Sequence, residues 1–106
     1  MSKVKACLTS QVPPGRMLVT DIMGRTVLIV NVEGKYYAMD GLCSHGGANL
    51  AEGVLNGPIV KCPLHGAAFD VRTGKLVQEP WTTDTQATDL RSYDVAEEEG
   101  CVIVDI

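Results

Sequence analysis

The chain has 106 residues, of which 45% are hydrophobic and 21% charged, which fits one globular domain over residues 1–106 and excludes a disordered tract. A net charge of −4 and a pI near 5.0 exclude a reader of nucleic-acid backbones, which needs clustered Lys and Arg. No apolar segment follows Met1, and the longest aliphatic run is only Val27 to Val30; the expectation is a cytoplasmic protein with neither leader nor membrane span.

Taken in chain order, the apolar pattern is that of short strands, with little helical periodicity. Val4 to Leu8 alternates as a first strand, and Gln11-Val12-Pro13-Pro14-Gly15 ends it in a turn. Arg16 to Thr20 and Thr26 to Val32 follow; the near-continuous Val/Leu/Ile content of the second predicts a central strand. Glu33-Gly34 ahead of Lys35-Tyr36-Tyr37-Ala38 is a hairpin signal. Asn49 to Glu52 is the one candidate helical turn, and Ile59 to Lys61 and Ala68 to Val71 are short strand candidates. A last hairpin joins Leu90–Ala96 to Cys101–Ile106 through Glu97 to Gly100. The fold class expected is all-β, a small sandwich or barrel of antiparallel sheets.

Between Gly41 and Gly74 the chain carries seven glycines and two prolines, together with both of its histidines. Here Cys43-Ser44-His45 is followed, after sixteen residues, by Cys62-Pro63-Leu64-His65. Each half offers a soft thiolate and a borderline imidazole, spaced so that both point to one side of a loop. Sulfide-bridged iron suits that mixture, with the two cysteines on one iron and the two neutral histidines on the other. Gly46, Gly47 and Gly66 follow the histidines directly, where backbone N–H groups could approach sulfur closely. Pro63 would stiffen the second loop. Zinc is the rival metal, although zinc loops usually open with Cys-x₂-Cys or close with His-x₃₋₅-His, and neither occurs here. A pair of buried cysteines beside two incidental histidines is disfavoured, because each histidine has a cysteine just upstream.

Cys-Ser-His-Gly-Gly at 43–47, Cys-Pro-Leu-His-Gly at 62–66 and Phe69-Asp70-Val71-Arg72-Thr73-Gly74-Lys75 together resemble the soluble Rieske-type ferredoxins. The resemblance implies the Rieske fold, in which antiparallel sheets form a base and a glycine-rich lobe, here near residues 41–75, holds the cluster. It implies one [2Fe–2S] cluster on Cys43, His45, Cys62 and His65. It also implies a one-electron carrier between a flavin-containing NAD(P)H reductase and a terminal oxygenase, acting as a component of an enzyme system and not as an enzyme itself. A Rieske subunit of a larger reductase, such as the small subunit of nitrite reductase, is the alternative within this class, and a structural zinc module for protein binding is the alternative outside it. The carrier is expected to be a monomer without membrane or nucleic-acid partners.

Respiratory Rieske proteins carry an extra cysteine in each loop where this chain has Ala48 and Leu64. They also carry a serine and a tyrosine that donate to the cluster sulfurs, where this chain has Ala67 and Phe69. Neither replacement can donate, which implies a low potential. The stretch Glu79 to Asp89, with Pro80 and the sole tryptophan, Trp81, is longer than its counterpart in these ferredoxins; ordinary packing under the loop is the favoured role for Trp81, ahead of shielding or docking. Cys7 and Cys101, in the first and last strands, are expected to be core residues. The late acidic run Asp84, Asp89, Asp94 and Glu97 to Glu99 is expected to be a solvated face, with steering of a basic partner as its functional alternative.

Overall fold

The computed structural model describes residues 2–44, 47–64, 66–81 and 87–106. Ten strands are present among them: β1 Lys3–Leu8, β2 Met17–Ile22, β3 Arg25–Val32, β4 Lys35–Asp40, β5 Val54–Asn56, β6 Ile59–Lys61, β7 Ala68–Asp70, β8 Leu76–Gln78, β9 Ser92–Glu98 and β10 Cys101–Asp105. Single 3₁₀ turns occupy Thr9–Gln11 and Leu50–Glu52. All pairing is antiparallel. Six strands form one sheet in the order β1-β10-β9-β4-β3-β2, and four form a second in the order β5-β6-β7-β8. No helix among the described residues is long and apolar enough to cross a membrane.

Three tight hairpins share one device. Met23-Gly24, Glu33-Gly34 and Glu99-Gly100 each place both turn residues at positive φ, between 50° and 95°. That is the two-residue geometry whose twist matches the flanking strands. The registers Ile22↔Arg25, Val32↔Lys35 and Glu98↔Cys101 follow from it. The last turn is thus narrower than the Glu97–Gly100 expected, because β9 continues to Glu98.

The all-β expectation holds, and β3 has the double-sided burial its composition demands. Val27, Leu28, Ile29 and Val30 are each 0% exposed. Alternation sends them to opposite sides. Val27 and Ile29 join Ile22, Ala38, Tyr93, Val102 and Val104 inside the larger sheet's core. Leu28 and Val30 join Met39, Leu50, Val60, Phe69 and Val71 in a second core, under the smaller sheet. The strand is therefore the wall between base and lobe. Each such side chain contributes roughly 1.5–3 kcal/mol by leaving water.

Two differences from the sequence reading have physical causes. The smaller sheet has more strands than expected, since β5 and β8 flank the two foreseen there, as edge strands defined by their pairing to β6 and β7. The penultimate strand begins at Ser92, two residues later than expected. Leu90 is drawn away to the lobe, where its N–H donates to the Gly74 carbonyl at 2.7 Å.

Cys7 lies opposite Val102 on the buried face of the terminal strand pair, whereas Cys101 lies opposite Leu8 on the outer face. Cys7 is the core residue expected, while Cys101 is half-buried. Placed on opposite faces of the strand pair, both remain free thiols. Burial, reinforced by the nearby Cys101 thiol, pushes the Cys7 pKa above its ordinary value.

Candidate metal centre

The first half of the motif leaves β4 at a braced point. The Tyr93 hydroxyl donates to Asp40 Oδ1 at 2.7 Å and accepts from Arg25 Nη1 at 3.3 Å. The Arg91 N–H donates to the same carboxylate at 3.2 Å, and the Asp40 N–H donates to the Arg91 carbonyl at 2.9 Å. Burial first, and then donation to Asp40, raises the Tyr93 pKa. Immediately after this anchor, Gly41 N–H bonds to the Thr26 carbonyl at 2.9 Å, Leu42 bridges Asn49, and Cys43 follows. Asn49 then caps the Leu50–Glu52 turn, its side chain accepting from the Ala51 N–H at 2.9 Å.

Both cysteines sit in the same local frame. The Cys43 N–H donates to the Ala48 carbonyl at 2.9 Å, and the Cys62 N–H donates to the Ala67 carbonyl at 2.7 Å. Each bond closes a loop on the residue five positions later. Within the first loop the Gly47 N–H also returns to the Cys43 carbonyl at 2.8 Å. The second loop is the connection between β6 and β7, so sheet pairing such as Lys61↔Ala68 holds its two ends together. Both cysteines are 3% exposed, and both belong to the core that includes Leu50, Val60, Ala67 and Phe69. Two loops far apart in sequence thus deliver two soft donors into one apolar core.

His45, His65 and Gly46 lie outside the described residues. Among the described residues no group of three or more His, Cys, Asp or Glu gathers, so the described part of the ligand set is the cysteine pair. That pair fits a sulfide-bridged iron centre: soft sulfur donors, buried in apolar surroundings, on twin loops that keep their geometry.

A second set of contacts could not be read from the motifs. Ser44, between Cys43 and His45, donates from Oγ to the Thr88 carbonyl at 2.6 Å and accepts from the Thr88 N–H at 2.9 Å. Asp89 accepts from the Leu76 N–H at 2.9 Å, and Ala87 is buried in the lobe's core. The chain entering β9 is therefore fastened to the first loop and to the lobe. The only sequence signal for this was the length of the Glu79–Asp89 stretch, of which residues 82–86 lie outside the described residues.

Trp81 differs from the packing role expected of it. Its side chain is 68% exposed, and it lies against Gly66 of the second loop, where a Cβ would come within 2.5 Å of the ring. The Asp70–Arg72 pair closes the turn after β7. Arg72 Nε and Nη2 donate to the two Asp70 oxygens at 3.0 and 2.8 Å, and this hydrogen bonding holds the Asp70 pKa below the ordinary 3.8.

Comparison with known proteins agrees with this geometry. The Rieske [2Fe–2S] domain family matches residues 2–94. A ferredoxin component of naphthalene 1,2-dioxygenase/salicylate 5-hydroxylase systems from Ralstonia sp is 42% identical over 79 residues, covering 74% of this chain and 75% of the relative. The 3-phenylpropionate/cinnamic acid dioxygenase ferredoxin subunit of Escherichia coli (strain K12) is 38% identical over 108 residues, covering 100% and 95% of the two chains. One chain of the complex of reduced oxygenase and oxidized ferredoxin in carbazole 1,9a-dioxygenase has a TM-score of 0.84 and 34% identity, covering 96% of this chain and 91% of that one. The chain belongs to the Rieske [2Fe–2S] domain family, as an electron-transfer protein whose cofactor is a single [2Fe–2S] cluster.

Proposed function

We propose that residues 1–106 form one domain that works as the ferredoxin of a ring-hydroxylating oxygenase system, with Cys43, His45, Cys62 and His65 as the four ligands. The observation that carries this is the pair of twin loops, each closed from its cysteine N–H to the fifth carbonyl on, with both thiols buried in one core. When bound, the cluster would accept and release single electrons. The chain's own contribution is to hold the ligands rigidly and keep one side of them in apolar surroundings, so that little reorganises when an electron arrives.

In this reading the electron comes from a flavin-containing NAD(P)H reductase and leaves to a terminal oxygenase. A relative that appears in complex with an oxygenase supports the second half of that path. The potential falls near the low end for such centres, about −150 mV. Ala67 and Phe69 are both 0% exposed and offer no side-chain donor, so the extra negative charge of the reduced state has fewer hydrogen bonds to stabilise it. A monomer in a reducing compartment such as the cytoplasm fits a small carrier that docks in turn with two partners. Its Cys7 and Cys101 are also both free thiols.

Low-temperature EPR of the dithionite-reduced protein, with iron and zinc counted on the same sample, tests the assignment. The expected result is a rhombic signal with average g below that of all-cysteine ferredoxins, and two irons per chain. Substituting His45 or His65 should abolish that signal. A colourless, EPR-silent protein that retains zinc would replace the carrier with a structural module.

A further inference from the structure

Trp81 and Gly66 fit each other closely. A Cβ built on Gly66 would lie 2.5, 2.7 and 2.8 Å from Cε2, Nε1 and Cζ2 of the indole. Gly66 also has φ +79°, so any other residue would be strained there as well as displaced. The indole is 68% exposed, so this is not burial of an apolar ring in a core. On the ring, Lys61 Nζ stands 5.4 Å from the centroid, a cation–π distance that helps fix its orientation. Lys61 is the last residue of β6 and Gly66 follows His65, so these two contacts belong to the segment bearing the second pair of ligands. A surface tryptophan with no task would gain more from packing on an apolar side chain than on a glycine backbone.

We propose that Trp81 is a positioning residue which covers the second ligand loop at Gly66, keeps water from that side of the cluster and holds its potential down. The proposal rests on the Rieske reading above. An oxidised centre with two ferric ions, two sulfides, two thiolates and two neutral imidazoles carries no net charge, and reduction adds one negative charge. Water stabilises that charge more than an apolar cover does. Removing the cover therefore favours the reduced form and raises the potential. Lys61 acts in the opposite sense, since its positive charge favours the reduced state, so loss of Lys61 does not mimic loss of the ring.

The test uses the iron-loaded full chain. Trp81→Ala, Trp81→Phe and Lys61→Gln are compared with wild type by EPR-monitored redox titration, and by pulsed EPR of the reduced protein in D₂O, which reads water near the cluster. Trp81→Ala is expected to shift the midpoint upward and to strengthen the deuterium coupling. Trp81→Phe should restore both toward wild type, and Lys61→Gln should produce no upward shift. Gly66→Ala, if it folds, should shift the midpoint as Trp81→Ala does. A Trp81→Ala protein with lowered thermal stability but wild-type midpoint and deuterium coupling would overturn the proposal and leave the indole a purely structural contact. Failure of the underlying reading shows separately: wild-type protein without two irons and a rhombic signal overturns both before any variant is compared.

Discussion

Ser44 and Thr88 hold each other through two hydrogen bonds, the serine hydroxyl donating to the Thr88 carbonyl and accepting from its N–H. One partner stands between two proposed ligands, and the other lies near the end of the long Glu79–Asp89 stretch that leads into β9. Ser44→Ala should therefore loosen the approach to β9 and the first ligand loop together. The bonds are exposed and water can replace them in part, so the expected cost is about 1 kcal/mol. Amide exchange at Thr88 should accelerate by up to about tenfold, measured by hydrogen–deuterium exchange; unchanged protection would show that the pair is not what holds this segment.

Among the described residues Phe69 is the bulkiest fully buried side chain, in the core it shares with Cys43 and Cys62. Phe69→Ala should cost about 3–5 kcal/mol and lower the thermal midpoint of unfolding accordingly. Phe69→Tyr is the informative change. Without a cluster the new hydroxyl is a buried polar group lacking a partner, and stability should fall by about 1–3 kcal/mol. With the cluster, a sulfur can accept its hydrogen bond. A tenfold preference for the reduced form then raises the potential by about 59 mV. Redox titration of this variant checks the idea, and a downward shift would contradict it.

Asp70 gives the protein an acid limb. Hydrogen bonds from Arg72 lower its pKa below the ordinary 3.8, so the folded state binds this proton less readily than the unfolded chain. The contribution to stability is present above pH 3.8 and is lost as pH falls through the lower folded value. Asp70→Asn should flatten the decline of stability below about pH 4 and lower stability at neutral pH. Urea unfolding across the acid range measures both effects; an unaltered acid limb would assign it to other carboxylates.

The thiols outside the loops should differ in reactivity. Cys7 is 6% exposed and its pKa is raised by burial, both of which oppose thiolate attack. Cys101 is half-buried on the other face of the sheet. Iodoacetamide on the iron-loaded native protein should modify Cys101 well before Cys7, as read by peptide mass spectrometry. Preferential labelling of Cys7 would mean that β1 frays from β10.

Much of this protein was legible in the sequence because the relevant physics is local. A glycine at the second position of a two-residue turn is a local hairpin signal, so Glu33-Gly34 and the strands beside it could be located without coordinates. The unbroken run Val27 to Val30 marked a central strand, and the structure gives it a core on each face. The pairing of thiol with imidazole at Cys43/His45 and Cys62/His65 announced a metal before any loop was traced, since ligand chemistry depends on residue type and short spacing. The edge strands β5 and β8 escaped notice, because what makes them strands is their pairing to β6 and β7 and not a signal of their own. So did the shift of β9, because the bond that diverts Leu90 comes from Gly74, sixteen positions earlier.

By itself the sequence thus determined the class of cofactor, the all-β architecture and the Glu33-Gly34 hairpin, each of which follows from residue chemistry or neighbouring dihedrals. Only the tertiary structure decided that Cys43 and Cys62 share one core, that Ser44 is fastened to Thr88, and that Trp81 lies on Gly66 in the open instead of being buried. Those contacts join residues 15 to 44 positions apart, and no periodicity or motif encodes a meeting at such range. They exist because β3, walled by side chains on both faces, fixes where the lobe must stand.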